Sequence, residues 1–409
     1  MARYFTNYKI ILLASILVMN SCEKEIVKRN PVIYSLSSES GFLGGKLIIN
    51  GADFVPDKSK TLVYFESRPV QLDSATSTQL FLKIPNGLSP SLINITVTVE
   101  KSKSNVLPFT IIKTYKVVTI AGNGKLGHAD GNGLSATFVQ PESVTMDSQS
   151  NLFVADNFVI RKIDASANVT TYAGSLGYGH EDGPIGVAKF NQRIRGIVSH
   201  PDGSIFISDK RFVRKVDPTG NVTTLCGDRN GSVFNALSGI TLNNNQLFVV
   251  DIGQIKKVDL SGTVSTLTGD GNFGSVDGPL SSAKIVPYNI TSDRVGNLLF
   301  TEFSFGNKIR RVTSVEVSTL PLKFKSSLLA GGIAIDSDGN IFTAYENSII
   351  KINKSGNIET IAGKEYGFED GNNTDARFAN PTGLVVDAVG NIYVCDTFNN
   401  RIRKIIPIN

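Results

Sequence analysis

The chain has 409 residues, 19% of them charged, a formal charge of +5 at pH 7, 38 glycines, three cysteines and no tryptophan. So small and dispersed an excess of cations excludes the basic footprint of a nucleic-acid binder, and so few cysteines exclude a disulfide framework. The length exceeds what one hydrophobic core usually serves, so two domains are expected.

Arg3 and Lys9 precede an apolar run at residues 10–19 that is too short to span a bilayer as a helix. A charged start before such a run reads as a signal peptide over residues 1–21. The run ends in Val18-Met19-Asn20-Ser21-Cys22, which resembles a bacterial lipobox. The resemblance implies lipid attachment at Cys22 and a linker over residues 22–30; an ordinary secretory signal with an incidental cysteine is the alternative. Glu23 and Glu25 around Lys24 resemble the acidic patch that sends Bacteroidota-type lipoproteins to the outer face of the outer membrane. The expected location is therefore the outer membrane, lipid-anchored and facing the surface, with no other membrane contact. Loss of Arg3 and Lys9 with the signal brings the charge from +5 to +3. Cys226 and Cys395 then remain, at non-equivalent places in the repeat described below, and read as packing residues.

Residues 31–113 carry short strand-like runs broken by Gly, Pro, Asn and Ser. The stretch Ile93-Asn94-Ile95-Thr96-Val97-Thr98-Val99 alternates as a half-buried strand does. Strands at this spacing predict an all-β sandwich. Pro31-x-Ile33, Ser40-Gly41-x-x-Gly44-Gly45-x-Leu47-x-Ile49-x-Gly51-x-x-Phe54, Leu80-x-Leu82-x-Ile84-Pro85 and Pro108-Phe109 together resemble an immunoglobulin-like IPT/TIG domain. That resemblance implies a core filled by Phe54, Phe65 and Phe109, and a spacer or docking module with no catalytic set.

From residue 116 to 409 one unit recurs six times: an aliphatic strand, a Gly-Asn or Asx-Gly turn, a second strand ending in an acid, a polar loop, then an aliphatic, two basic and an aliphatic residue. Ile160-Arg161-Lys162-Ile163 and Ile402-Arg403-Lys404-Ile405 are two of its third strands. Five copies continue into a fourth strand, as at Val169-Thr170-Thr171-Tyr172-Ala173-Gly174; the sixth lacks one, and residues 117–122 supply it from the other end of the repeat region. Self-similarity at a period of about 40 to 50 residues with several strands per period predicts propeller blades, here six, closed by an N-terminal outer strand. Pro381-x-Gly383, Asp387, Gly390-Asn391-Ile392-Tyr393-Val394-x-Asp396 and Asn399-x-Arg401-Ile402-Arg403-Lys404-Ile405 resemble the NHL repeat. Copies three to five depart most from it: Ile350 replaces the first basic residue and Tyr345 the strand-ending acid in copy five, and Asn243 the first-strand Asp in copy three.

Some NHL propellers bind RNA, but one basic residue per blade opposite a repeated Asp reads as an ion pair between blades, and no nucleic-acid partner is expected. Long loops at residues 127–131, 179–183, 274–278 and 367–371 each end in Asp-Gly, a turn signal, and the following Ala136-x-Phe138 type pair is expected to wedge between blades. Enzymatic propellers of related architecture hold a metal at the channel mouth. Aligning the copies places Glu142, Arg195, Ser238, Tyr288, Gly331 and Thr382 there. One carboxylate beside an arginine is a poor metal set; His128 and His180 lie in equivalent loops, and no third histidine, His200 included, shares their register. No Gly-x-Ser-x-Gly elbow or P-loop is present, so no catalytic residues, metal or cofactor are assigned. The loops on the mouth's face are expected to carry Phe158, Tyr178, Phe273, Phe303, Phe305, Tyr345, Tyr366 and Phe398 beside Arg195 and Tyr288, with low walls before blades three and five. Such a face suits an extended ligand. A glycan is the first expectation, from resemblance to surface lipoproteins beside glycan importers; a surface protein docked on the propeller or the sandwich is the second. The third is a metal-dependent hydrolase or lyase using Glu142.

Overall fold

The computed structural model describes residues 30–191, 193–302, 307–324 and 331–408; the segment expected to be a signal peptide, Cys22, Phe303 and Phe305 lie outside them. The chain divides into two compact units between Ile112 and Lys113. Nearly every described element is a strand, as the alternating runs and scarcity of helix-period patterns predict.

In the first unit two antiparallel-rich sheets face each other across one core. One runs Val32–Leu36, Lys46–Ala52, Gln79–Lys83, Leu72–Ala75; the other is built on Thr61–Phe65, Leu92–Val99 and Leu107–Ile112. Phe54, Phe65 and Phe109 are buried in that core, and the last two meet edge to face at 6.0 Å between centroids.

Among the described residues the second unit contains six sheets, each built on four antiparallel strands; five take their four strands in sequential order, and three gain a short fifth strand at the outer edge, Gly131–Asn132, Gly278–Pro279 and Gly371–Asn372. The innermost strands are Pro141–Met146, Gly196–Ser199, Leu237–Asn243, Pro287–Ser292, Ile333–Ile335 and Pro381–Val386, and we number the blades one to six by them. Each inner strand neighbours the next, and the sixth returns to the first. Thr114–Ala121 pairs antiparallel with Arg401–Ile408 over its full length, so the outer strand of blade six comes from the start of the unit. This leaves no long open edge where the ring closes.

Local chemistry sets the turns. In blade six Asp387 accepts hydrogen bonds from the backbone N–H of Val389 and Asn391 at 3.1 and 2.8 Å, while Gly390 takes φ of +88°. The glycine of the repeated Pro-x-Gly answers a different need. A Cβ on Gly383 would lie 2.6 Å from Ser143 Cα, and one on Gly196 would lie 2.9 Å from the amide nitrogen of Ile240. Inner strands approach too closely there for side chains, and the channel between them narrows to a cavity of 120 Å3.

Candidate functional site

The repeated acid at the end of each second strand turns inward. Asp156, Asp209, Asp251, Glu302 and Asp396 are fully buried. Each accepts a backbone N–H from the segment leading into its own blade, as Val139 donates to Asp156 at 2.6 Å and Ala379 to Asp396 at 2.8 Å. The first basic residue of the third strand meets the same acid: Arg214 lies 2.9 Å from Asp209, Arg310 2.6 Å from Glu302, Arg403 2.7 Å from Asp396, and Lys256 2.9 Å from Asp251. These pairs sit within one blade, which corrects the expectation of pairs between blades. Strand alternation and a two- to five-residue loop bring the acid and base of one blade to the same level.

The Asp-Gly loops complete the clamp. Asp130, Asp182, Asp277 and Asp370 reach the same arginines, at 2.9, 2.6, 2.8 and 2.7 Å. Each also accepts the backbone N–H of a fourth-strand threonine, Asp182 from Thr224 at 2.9 Å and Asp370 from Thr119 at 3.0 Å. These loops are arms strapped over the blade they precede. Phe138 packs among Ala121, Cys395 and Ile402 of blade six and Val154 of blade one, the wedge its Ala-x-Phe pattern predicts. The first residue of these basic pairs is thus engaged in the fold, and desolvation pushes up the thiols of half-buried Cys226, to about 12, and of buried Cys395. The three histidines are dispersed: His128 lies 3.1 Å from Asp156, His180 stacks on Phe212 at 3.9 Å, and His200 lies 2.8 Å from Asp202. Among the described residues no three His, Cys, Asp or Glu side chains are grouped to hold a metal ion.

The channel mouth is different in kind. Of its six aligned positions, Gly331 offers no side chain and two hydroxyls are spent joining neighbouring blades: Ser238 donates to the Tyr288 carbonyl at 2.9 Å and Thr382 to the Glu142 carbonyl at 2.8 Å. Glu142, Arg195 and Tyr288 remain. Glu142 pairs with Arg193, a residue the repeat alignment misses; its i, i+2 spacing from Arg195 was the available signal. Burial pushes the Glu142 carboxyl up against the pull of Arg193 and Arg195. Burial also raises the Tyr288 phenol, with Arg195, Glu142 and Arg193 the charges acting on it. Residues from blades one, two and four therefore come together at the channel mouth.

The predicted aromatic face is only partly assembled. Phe158 and Tyr178 meet edge to face at 4.7 Å, and Tyr178, Tyr366 and Phe398 are exposed at 76, 65 and 50%. Tyr345 does not join Tyr288: it packs on Phe324 at 5.7 Å, in a 460 Å3 groove shared with Ile350, Ile358 and Thr360 along the outer strands of blade five. The cause is its register. Tyr345 occupies the position of the clamp acids, whose side chains turn toward the third strand and the arm.

Residues 31–111 match the IPT/TIG domain model, and residues 378–405 match the NHL repeat model. None of the curated proteins matches the chain in sequence. Among solved structures, a Bacteroides thetaiotaomicron protein of unknown function is similar with a TM-score of 0.58 and 18% identity, over 93% of this chain and 99% of its own. An auxiliary nutrient binding protein from Bacteroides ovatus has a TM-score of 0.55 and 16% identity, over 93% of this chain and 99% of its own. A gluconolactonase from Xanthomonas campestris has a TM-score of 0.50 and 8% identity, over 72% of this chain and 90% of its own. At these identities the likeness is one of fold. This is an all-β chain that carries an IPT/TIG domain followed by an NHL-repeat β-propeller.

Proposed function

We propose that the propeller binds an extended glycan across the mouth of its channel without chemistry on it, as a lipid-anchored outer-membrane protein serving polysaccharide uptake. The observation that carries this reading is the convergence of Tyr288, Glu142, Arg193 and Arg195 over a cavity of 120 Å3. Small-molecule sites enclose roughly 300 to 1,000 Å3, so a ligand here lies across the opening. A tyrosine ring offers an apolar face to the C–H surface of a sugar while its hydroxyl bonds outward, and the exposed Tyr178, Tyr366 and Phe398 offer further stacking faces. The likeness in fold to a Bacteroides auxiliary nutrient binding protein supports a ligand-binding role, and the Cys22 motif with its acidic flank supports the surface location. The test is a glycan-array and polysaccharide gel-retardation screen of residues 30–409. Retardation by one polysaccharide, lost in Tyr288→Ala with the circular dichroism spectrum unchanged, is the expected result; no retardation across the panel sinks the reading.

A second reading, a surface protein docked on the sandwich, is favoured by one observation. Tyr34 and Leu92 are 67 and 70% exposed beside a groove of 420 Å3 that also contains Leu36 and Leu107. A Tyr34→Ser and Leu92→Ser double variant then loses its partner in outer-membrane pull-downs while polysaccharide retardation is untouched.

A further inference from the structure

We infer that the saccharide held at the channel mouth is anionic and that Arg195, with Arg193, binds its carboxylate or sulfate group. The inference rests on the mouth being the binding site, and it comes from comparing the propeller's arginines with one another.

In the clamps of blades one, two, four and six every guanidinium faces two carboxylates: Arg161 with Asp130 and Asp156, Arg403 with Asp370 and Asp396, and their counterparts alike. Each also donates to backbone carbonyls, as Arg403 does to Arg377 and Glu369 at 3.0 and 2.6 Å. At the mouth the ratio is inverted. Arg193 and Arg195 are the cations acting on Tyr288, and Glu142 is the single acid. Arg193 already spends an Nη2 donor on Glu142, a half-buried carboxylate that burial makes reluctant to ionise. Arg195 is exposed and has no hydrogen-bond or ion-pair partner among the described residues. A planar guanidinium with free donors beside an uncompensated positive charge is the natural receptor for a planar carboxylate or a sulfate, which it grips through two parallel bonds.

The arrangement also assigns the parts of the ligand. Tyr288 on blade four packs the ring, and Arg195 on blade two takes the acidic substituent, so consecutive acidic sugars lie across the channel axis. Glu142 holds Arg193 in place and acts through it as a positioning residue.

The test uses residues 30–409 against polygalacturonate, alginate and hyaluronate as carboxylated polymers, chondroitin sulfate and dextran sulfate as sulfated ones, and methyl-esterified polygalacturonate, dextran and the other neutral glycans. Affinity is measured for wild type, Arg195→Gln and a control, Arg294→Gln, which removes the same charge from an exposed turn between the first two strands of blade four. The expected result is binding of one acidic polymer, a loss of about tenfold or more in Arg195→Gln, and no loss in Arg294→Gln. Whether a carboxylated or a sulfated polymer is retained identifies the acidic group. Equal losses in both variants mean attraction to net charge alone and overturn the assignment. A neutral glycan bound as well as its acidic counterpart overturns the inference and leaves the glycan reading standing. Binding of nothing in the panel removes both.

Discussion

In blade six Arg403 reaches Asp396 and Asp370, each at 2.7 Å, whereas in blade five Ile350 holds the arginine's place, Tyr345 the acid's, and the sequence of the preceding loop carries no Asp-Gly. Both blades share the same antiparallel order of four strands, and in blade six the arm adds the two-residue strand Gly371–Asn372 at the outer edge. The polar clamp is therefore dispensable for building a blade and serves to hold the arm. In blade five aliphatic and aromatic groups take the clamp positions, and among the described residues they line a 460 Å3 groove along the blade's outer strands. Blade three lies between these cases: Lys256 keeps the pair with Asp251 and donates to the Val233 carbonyl at 2.6 Å, in place of an arm.

The largest expected effect comes from removing the cation of an armed blade. Arg403→Met leaves the fully buried Asp396 without its counter-charge, and a broken buried pair costs about 3 to 5 kcal/mol. Ile350→Met in blade five keeps volume and polarity and costs less than about 1.5 kcal/mol. Urea denaturation of the two variants decides the matter; equal losses break the comparison.

A smaller effect is expected from the arm itself. Asp370→Asn weakens the hold on Arg403 and on Thr119 of the closing strand, a loss of about 1 to 2 kcal/mol. Hydrogen exchange at the Thr119 amide should speed up without global unfolding. Protection unchanged at Thr119 means that the arm does not secure the ring's closure.

The smallest effect is in acid, and its sign separates the arm carboxylate of blade two from an outer-strand carboxyl of blade five. Desolvation raises the Asp182 carboxyl, but hydrogen bonds from Thr224 and Arg214 and the charge of Arg214 outweigh it and hold it below the ordinary 3.8. A depressed carboxyl lends stability above the unfolded value and loses it as pH falls through the folded one. Protection of the Thr224 amide in blade two should therefore decline as pH falls below 3.8. In blade five burial pushes the Glu359 carboxyl above its ordinary 4.5, with Lys351 opposing. Here the folded state favours the proton, so lowering the pH through that range strengthens the outer strand. Hydrogen exchange between pH 3 and 6 reads both; steps of the same sign contradict the comparison.

Much of this was legible in sequence, because a repeated unit reports its own strands, turns and closure. Gly390-Asn391 and the fourth strand missing after Ile405 mark the blade and its borrowed partner before any coordinates are seen. The arms were not legible as arms. Asp130 grips an arginine 31 residues away, and nothing in Asp-Gly beyond a turn signal points to that partner. Tyr345 was misplaced on the binding face for a related reason: exposed loop ends and clamp positions sit one residue apart, and alternation sends their side chains to opposite sides. At the mouth the aligned positions identified Glu142, Arg195 and Tyr288, while Arg193, outside the repeat's register, emerged only from its contact with Glu142.

The measurement that bears most directly on the mouth as the ligand site is isothermal titration of residues 30–409 with the retained polysaccharide, repeated for Tyr288→Ala and Tyr345→Ala. The mouth site predicts at least about a tenfold weakening for Tyr288→Ala and none for Tyr345→Ala, whose ring packs in the outer groove of blade five. Undiminished affinity in Tyr288→Ala, with the loss falling on Tyr345→Ala instead, would place the ligand in that groove and contradict the account.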